Sequence, residues 1–358
     1  MNFAPMTGST VLVTGGSGFV GAHIIVQALG KGYAVRTTVR SLSRANLVRD
    51  KVRCGGISEK QANSVEFFEV DLLSDKGWDK ACRGCDFVIH VASPYPSSFP
   101  KNEDDIIKPA REGTLRALKA AKKSGTVKRV VITSSFAAIG YGHGKRTNND
   151  PFTETDWTVL KDPKSPVGAY EKSKTLAEQD AWQWLRNEGE GLELATVNPV
   201  SIWGPSLGNE INTSLELPTR MLNGDLPGLP NLSFGIVDVR DVADLHIKAM
   251  EAPEAAGQRY LAISDELSVS TKDISTYLKE GLPARETKKV PTHMLPDFLL
   301  RIVAAFDKSV ALIVPELGIV RPTSNGKAKR ELNWAPRSAR DAVVASAESM
   351  KRTGRVKF

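Results

Sequence analysis

The chain has 358 residues, 41% of them apolar and 25% charged, enough to bury a substantial core and ordinary for a soluble globular enzyme. Its formal charge of +7 is spread along the sequence rather than gathered into a tail or repeat, which argues against nucleic-acid binding and fits attraction for a polyphosphorylated ligand. Three cysteines, Cys54, Cys82 and Cys85, make an odd count that argues against a disulfide framework, and one CxxC with five scattered histidines argues against a zinc site.

Met1–Thr7 shows no basic segment followed by an apolar run, and nothing after Arg355 matches an address or lipid signal, so a cytoplasmic protein is expected. From there short β-branched runs alternate with helical patterns. Strands are expected at Thr10–Thr14, Ala34–Val39, Val65–Val70, Phe87–Ala92, Arg129–Thr133 and Leu192–Val197. Helices are expected around Phe19–Leu29, Glu103–Lys123 and Tyr170–Asn187. This alternation predicts an α/β fold with a doubly wound parallel sheet, the Rossmann arrangement, over residues 1–200. Cys82 and Cys85 read as a partly buried helix end ahead of a strand, with a redox pair as the alternative.

After Pro199 a run of glycines and prolines to about Ser233 marks a long irregular segment, of the kind that is usually functional. A further strand and helix near Phe234–Met250 are expected to return to the sheet. Residues 201–233 and 251–358 then form a smaller mixed lobe for substrate, with a capping-box start at Ser270. Met294–Val314 is apolar but interrupted by Pro296, Asp297, Arg301, Asp307 and Lys308, so it reads as a core helix and not as a membrane span.

The motifs follow the same order. "VTGGSGFVG", Val13–Gly21, joins the first strand to the first helix. Gly15, Gly18 and Gly21 supply a tight turn, close approach of backbone to a pyrophosphate and close packing of helix on strand, in GxxGxxG rather than GxGxxG spacing. The helix start adds free N–H groups and a positive dipole end. Arg40 closes the second strand about 20 residues on, where an acid would hold the ribose 2′-hydroxyl of NAD. An arginine there, with Arg44 and Ser41 behind it, suits the 2′-phosphate of NADP(H); a solvated strand end is the alternative. Asp71 closes the third strand and can accept from the adenine amino group or cap a helix.

Ser134 and Ser135 leave the fifth strand, and Tyr170 and Lys174, four apart, share one face of a helix. Carbonyl reduction requires a proton for the oxygen on which charge develops. A phenol with a pKa near 10 is poorly matched to neutral pH, and a neighbouring ammonium lowers it. Tyr170 is therefore the candidate proton donor, Lys174 its electrostatic partner and Ser135 a hydrogen-bond donor to the substrate oxygen.

These features resemble the extended short-chain dehydrogenase/reductase superfamily, within it the group of dihydroflavonol, cinnamoyl-CoA and yeast-type carbonyl (methylglyoxal) reductases. The likeness extends over nearly the whole chain through the glycine turn, "HVASP" (His90–Pro94), "PAREGTLRALKAA" (Pro109–Ala121), "NPVSIWGP" (Asn198–Pro205) and "VDVRDVA" (Val237–Ala243). It implies that Ser135, Tyr170 and Lys174 are a catalytic triad, Ser135 being preferred to Ser134. It further implies that Ser17, Phe19 and Val20 lie along the pyrophosphate, and that Ala92 and the backbone of Pro199, Val200 and Ile202 flank the nicotinamide. Leu72, Val91 and Ser93 complete the expected cofactor contacts. Substrate contacts are expected from Ser93, Pro94, Tyr95, Phe136, Trp203 and Leu207, with Tyr141 and His143 in a rim loop and Trp182 and Trp184 as packing residues.

The resulting expectation is an NADPH-dependent reductase of aldehydes or ketones. It needs a small-molecule carbonyl or alcohol partner, no nucleic acid, no membrane and no metal, as a monomer or homodimer. A sugar-nucleotide epimerase or dehydratase, a hydroxysteroid-type dehydrogenase and a non-enzymatic NADP sensor are the rivals. Against the dehydratase, Ser135-Phe136-Ala137 occupies the place of an acidic pair; against the sensor, Tyr170 and Lys174 are both present.

Overall fold

Strand Thr10–Thr14 pairs in parallel with Ala34–Val39 on one side and Phe87–His90 on the other, so the chain first winds outward and then crosses back past its own start. The computed structural model describes residues 8–94, 102–161, 167–208 and 215–356. Its main sheet has seven parallel strands, in the order Arg259–Ala262, Glu193–Pro199, Arg129–Thr133, Phe87–His90, Thr10–Thr14, Ala34–Val39 and Glu66–Glu69. The reversal beside Thr10–Thr14 is a topological switch point, and ligands of such sheets bind outside the carboxyl ends of the strands there.

The burial pattern explains the layering. All four residues of Phe87–His90 are buried, as expected for a strand covered on both faces. Helices Phe19–Gly30 and Val239–Glu251 cover one face, where Ile24, Ile25, Val242 and Leu245 pack on Val11 and Val13. Helices Asp104–Ser124 and Ala169–Glu188 cover the other, where Ala117, Leu118, Ala181 and Trp184 pack on Leu12, Val88 and Val130.

Several expectations need adjustment. The fourth strand stops at His90 rather than Ala92 because the N–H groups of Val91 and Ala92 turn to Thr14 Oγ1 at 3.0 and 3.1 Å and leave the ladder. Strand Ile236–Asp238 does not enter the main sheet; it pairs with Ser201–Trp203 in a two-stranded piece, and Asp238 ends it by capping the next helix. That helix does cover the sheet. The seventh strand is instead Arg259–Ala262, from beyond residue 252.

The smaller lobe has its own core, in which Trp203, Met221 and Leu229 meet Ile274 and Leu278 of helix Thr271–Gly281 and Val343 of helix Ala339–Arg352. Ser270 caps the former in the expected capping box with Asp273. Met294–Val314 is not a core helix: in Asp297–Val303 Leu300 is buried, but Phe298 and Ile302 are 67% and 57% exposed, and Phe306 beyond it is 90% exposed. Only one stripe of that short helix faces the lobe. Cys82 and Cys85 are buried as free thiols, and burial pushes Cys82 up to about 12, which makes it a poor redox nucleophile. Among the described residues no helix is long and apolar enough to cross a membrane, and no three His, Cys, Asp or Glu side chains gather to hold a metal.

Candidate active site

A cleft of about 1230 Å³ runs along the carboxyl ends of the strands at the switch point. Its floor is the glycine turn. Gly15 has φ +71°, and a Cβ there would lie 3.1 Å from the Ala92 backbone. A Cβ on Gly21 would lie 2.5 Å from the Gly15 carbonyl oxygen, so both positions exclude a side chain. Thr38 Oγ1 steadies the turn by accepting from the Gly15 N–H at 3.1 Å. Helix Phe19–Gly30 starts at Gly18 with no side-chain cap, leaving its first N–H groups directed toward the cleft for an anion.

One end of the cleft is basic. Arg40 follows strand Ala34–Val39, Arg44 closes the short 3₁₀ turn Leu42–Arg44, and both line the cleft. Lys51 joins them from helix Ala45–Cys54, seven residues after Arg44 and so on the same face. It is buried and donates to the Ser17 carbonyl. The sequence reading missed this lysine, although its spacing from Arg44 was available. Asp71 lines the same end; its Oδ1 accepts from Leu73 N–H at 2.7 Å in a turn, not at a helix start.

At the other end helix Ala169–Glu188 brings Tyr170 and Lys174 beside Ser135, all three on the cleft wall. Ser135 begins the 3₁₀ turn Phe136–Ala138, and its Oγ accepts from Ala137 N–H at 3.0 Å. Lys174 is 8% exposed and donates to the Thr133 carbonyl at 3.3 Å. Burial lowers it to about 8, while the charge of Glu178 opposes the shift. Ser134 donates its hydroxyl to buried Glu178. Both serines line the cleft, but the Ser134 hydroxyl is tied to a buried carboxylate and the Ser135 hydroxyl is not.

Ser17, Phe19, Val20, Leu72, Val91, Ala92 and Ser93 line the cleft, as do Pro199, Val200 and Ile202. Of the expected substrate contacts, Pro94, Phe136 and Leu207 also line it, while Tyr95 lies outside the described residues. Trp203 does not. It is 2% exposed inside the core of the smaller lobe, with Nε1 donating to Ser201 Oγ at 2.8 Å. Trp184 is buried and Trp182 donates to Glu178 at 3.2 Å, both as packing residues. His143 in the rim loop bonds Trp157 O at 2.8 Å, whereas Tyr141 reaches the cleft.

Beyond Tyr170 stands a polar group that the sequence did not reveal. Glu171, Glu316 and Arg321 line this part of the cleft. Arg321 forks onto Glu316, the longer contact being 3.3 Å, and lies 4.3 Å over the Tyr141 ring. Burial raises Glu171 above the usual carboxylate range. The cleft therefore holds acids, although none beside Ser135. Glu171 was hidden as the neighbour of Tyr170; Glu316 and Arg321 arrive from far along the chain and leave no local signal.

The sequence profile described as "NAD dependent epimerase/dehydratase family" matches residues 11–262. "Cinnamoyl-CoA reductase CAD2" of Medicago truncatula is 36% identical over 256 residues, spanning 71% of this chain and 76% of the relative. An "Anthocyanidin reductase ((2S)-flavan-3-ol-forming)" of Vitis vinifera is 33% identical over 298 residues, spanning 80% of this chain and 84% of the relative. Among solved structures, yeast methylglyoxal/isovaleraldehyde reductase Gre2 complexed with NADPH superposes with TM-score 0.78 at 27% identity, covering 97% of this chain and all of that one.

Proposed function

The chain belongs to the NAD dependent epimerase/dehydratase family, the extended short-chain dehydrogenases/reductases, and from that membership we propose that it reduces aldehydes or ketones to alcohols with NADPH. One observation carries the reading: Ser135, Tyr170 and Lys174 open into the same cleft as the glycine turn and Arg40. The fit to a dinucleotide rests on the turn. Its glycines leave a cradle that side chains would fill, the helix start beyond it is uncapped, and the basic end suits a phosphate on the 2′-oxygen. NADPH, when bound, supplies the hydride to the carbonyl carbon.

The protein's own groups handle the oxygen. Ser135 takes an N–H bond from Ala137 and so keeps its hydroxyl proton for the substrate oxygen. Tyr170 gives its phenolic proton to that oxygen as charge builds. Lys174, one helical turn away, favours the phenolate left behind and so brings the tyrosine's pKa toward neutrality. The ammonium is buried, which makes this interaction stronger than it would be in water. Phe136 and Leu207 give the substrate site an apolar face, and Glu316 with Arg321 a polar one.

Relatives named as reductases of cinnamoyl-CoA, of anthocyanidins and of methylglyoxal or isovaleraldehyde support a reductase reading and leave the substrate class to experiment. The test is loss of the reduced-nicotinamide absorbance with aromatic, aliphatic and 1,2-dicarbonyl compounds, NADPH and NADH being run in parallel. Consumption of NADPH with one of these groups is the expected result. Tight NADPH binding with no consumption across the panel would favour the epimerase or sensor reading.

A further inference from the structure

Behind Lys174, between strand Phe87–His90 and helix Ala169–Glu188, lies a second cavity of about 10 Å³, lined among others by His90, Thr114, Ser134, Lys174 and Glu178. That volume is close to what a single water needs. His90 is 2% exposed and has no part in the chemistry described above.

The tautomer of His90 follows from its neighbour. Thr14 Oγ1 accepts the N–H groups of Val91 and Ala92 at 3.0 and 3.1 Å, which fills both of its acceptor positions. Its one proton therefore goes to His90 Nδ1, 3.0 Å away. An accepting Nδ1 means a neutral ring with the proton on Nε2. Burial, reinforced by the charge of Lys174, lowers His90 to about 3, so the ring stays neutral at any working pH. Nε2 is buried and has no hydrogen-bond partner among the described residues. A buried donor in that state calls for an acceptor, and the cavity it borders is polar.

We propose that this cavity binds one ordered water, which accepts from His90 Nε2–H and from the Lys174 ammonium and donates to the Ser134 hydroxyl oxygen. His90 is then a positioning residue for Lys174. The titratable groups lining the space are His90 on the strand and Lys174 and Glu178 on the helix. Arg259 balances Glu178 from the strand at the sheet edge, and the neighbouring elements contribute the uncharged Thr114, Thr133 and Ser134. By solvating the ammonium on its inner side, the water opposes the burial that drives Lys174 toward its neutral form.

The inference rests on the role given to Lys174 above, yet two of its measurements need no turnover. In ¹⁵N-histidine-labelled protein, His90 is expected to show an unprotonated Nδ1 and a protonated Nε2, unchanged between about pH 5 and about pH 9. A protonated Nδ1 or a titrating ring overturns the proposal. A high-resolution crystal structure is expected to show water within hydrogen-bond reach of Nε2, and a dry cavity overturns it. Both outcomes stand whether or not the protein reduces carbonyls. The third measurement is the pH profile of kcat in His90→Asn, which keeps an acceptor toward Thr14 and removes the inner donor. The limb on which activity falls as Lys174 loses its proton is expected to move down by about one pH unit, with KM for NADPH changed less than about threefold. A limb that stays in place in the folded variant contradicts the positioning role.

Discussion

Glu178 and Arg259 form a buried ion pair, Oε1 to Nε at 2.6 Å, with side chains 1% and 9% exposed. The pair ties helix Ala169–Glu188 to the last strand of the sheet, and Glu178 also accepts from Ser134, Thr196 and Asn198. One carboxylate thus holds the helix against two strands and against the residue that follows a third, directly behind Lys174. Removing one partner of such a pair leaves the other charge buried without compensation. Glu178→Gln is expected to cost about 3–5 kcal/mol in urea unfolding; a loss below about 1 kcal/mol would show that the pair does not anchor the helix.

Tyr170→Phe removes the proposed proton donor and leaves the cofactor end of the cleft intact. The expected fall in kcat is about 10²–10⁴-fold, with the Kd for NADPH changed less than about threefold. Near-normal turnover would remove Tyr170 from the proposed chemistry.

Arg40→Ala separates the two coenzymes. Loss of a charge-assisted phosphate contact is expected to weaken NADPH binding by about 1–3 kcal/mol while NADH binding barely changes. Equal weakening of both would mean that Arg40 does not read the 2′-phosphate.

Lys174 carries a stability cost with a definite pH dependence. Its folded value of about 8 lies below that of a free lysine, so between about pH 8 and pH 10.5 the unfolded chain binds more protons and stability rises with pH. Below about pH 8 the folded state bears the whole cost of the buried charge. In the protein without coenzyme, Lys174→Met is therefore expected to gain about 3 kcal/mol near neutral pH, to lose that gain as pH rises toward 10.5, and to abolish turnover. A variant destabilised at neutral pH would mean that burial does not disfavour the ammonium.

Much of the site was legible because it is local in sequence. The glycine turn, Arg40 at a strand end and the Tyr170–Lys174 spacing each lie within a single element or turn, so periodicity places them. The remainder depends on contacts distant along the chain. Arg259–Ala262 opens with a charge and is four residues long, which hides a strand; its arginine can be buried because Glu178, 81 residues earlier, meets it. Trp203 carries no mark that separates a cleft wall from a lobe core, and the packing of helices Thr271–Gly281 and Ala339–Arg352 over it decides the matter. Arg321 becomes part of the cleft through Tyr141, far earlier in the chain, and the apolar residues around Phe298 remain outward because their helix buries only Leu300.

The central claim is that hydride passes from NADPH to a carbonyl carbon in this cleft. The most direct test uses NADPH carrying deuterium at the transferable C4 position, with the best carbonyl from the panel, and mass analysis of the product. An alcohol bearing one deuterium on the carbinol carbon, formed in step with NADPH loss, is the predicted result. Consumption of the carbonyl with NADPH unchanged, or an unlabelled alcohol from both the pro-R-labelled and the pro-S-labelled coenzyme, would contradict it.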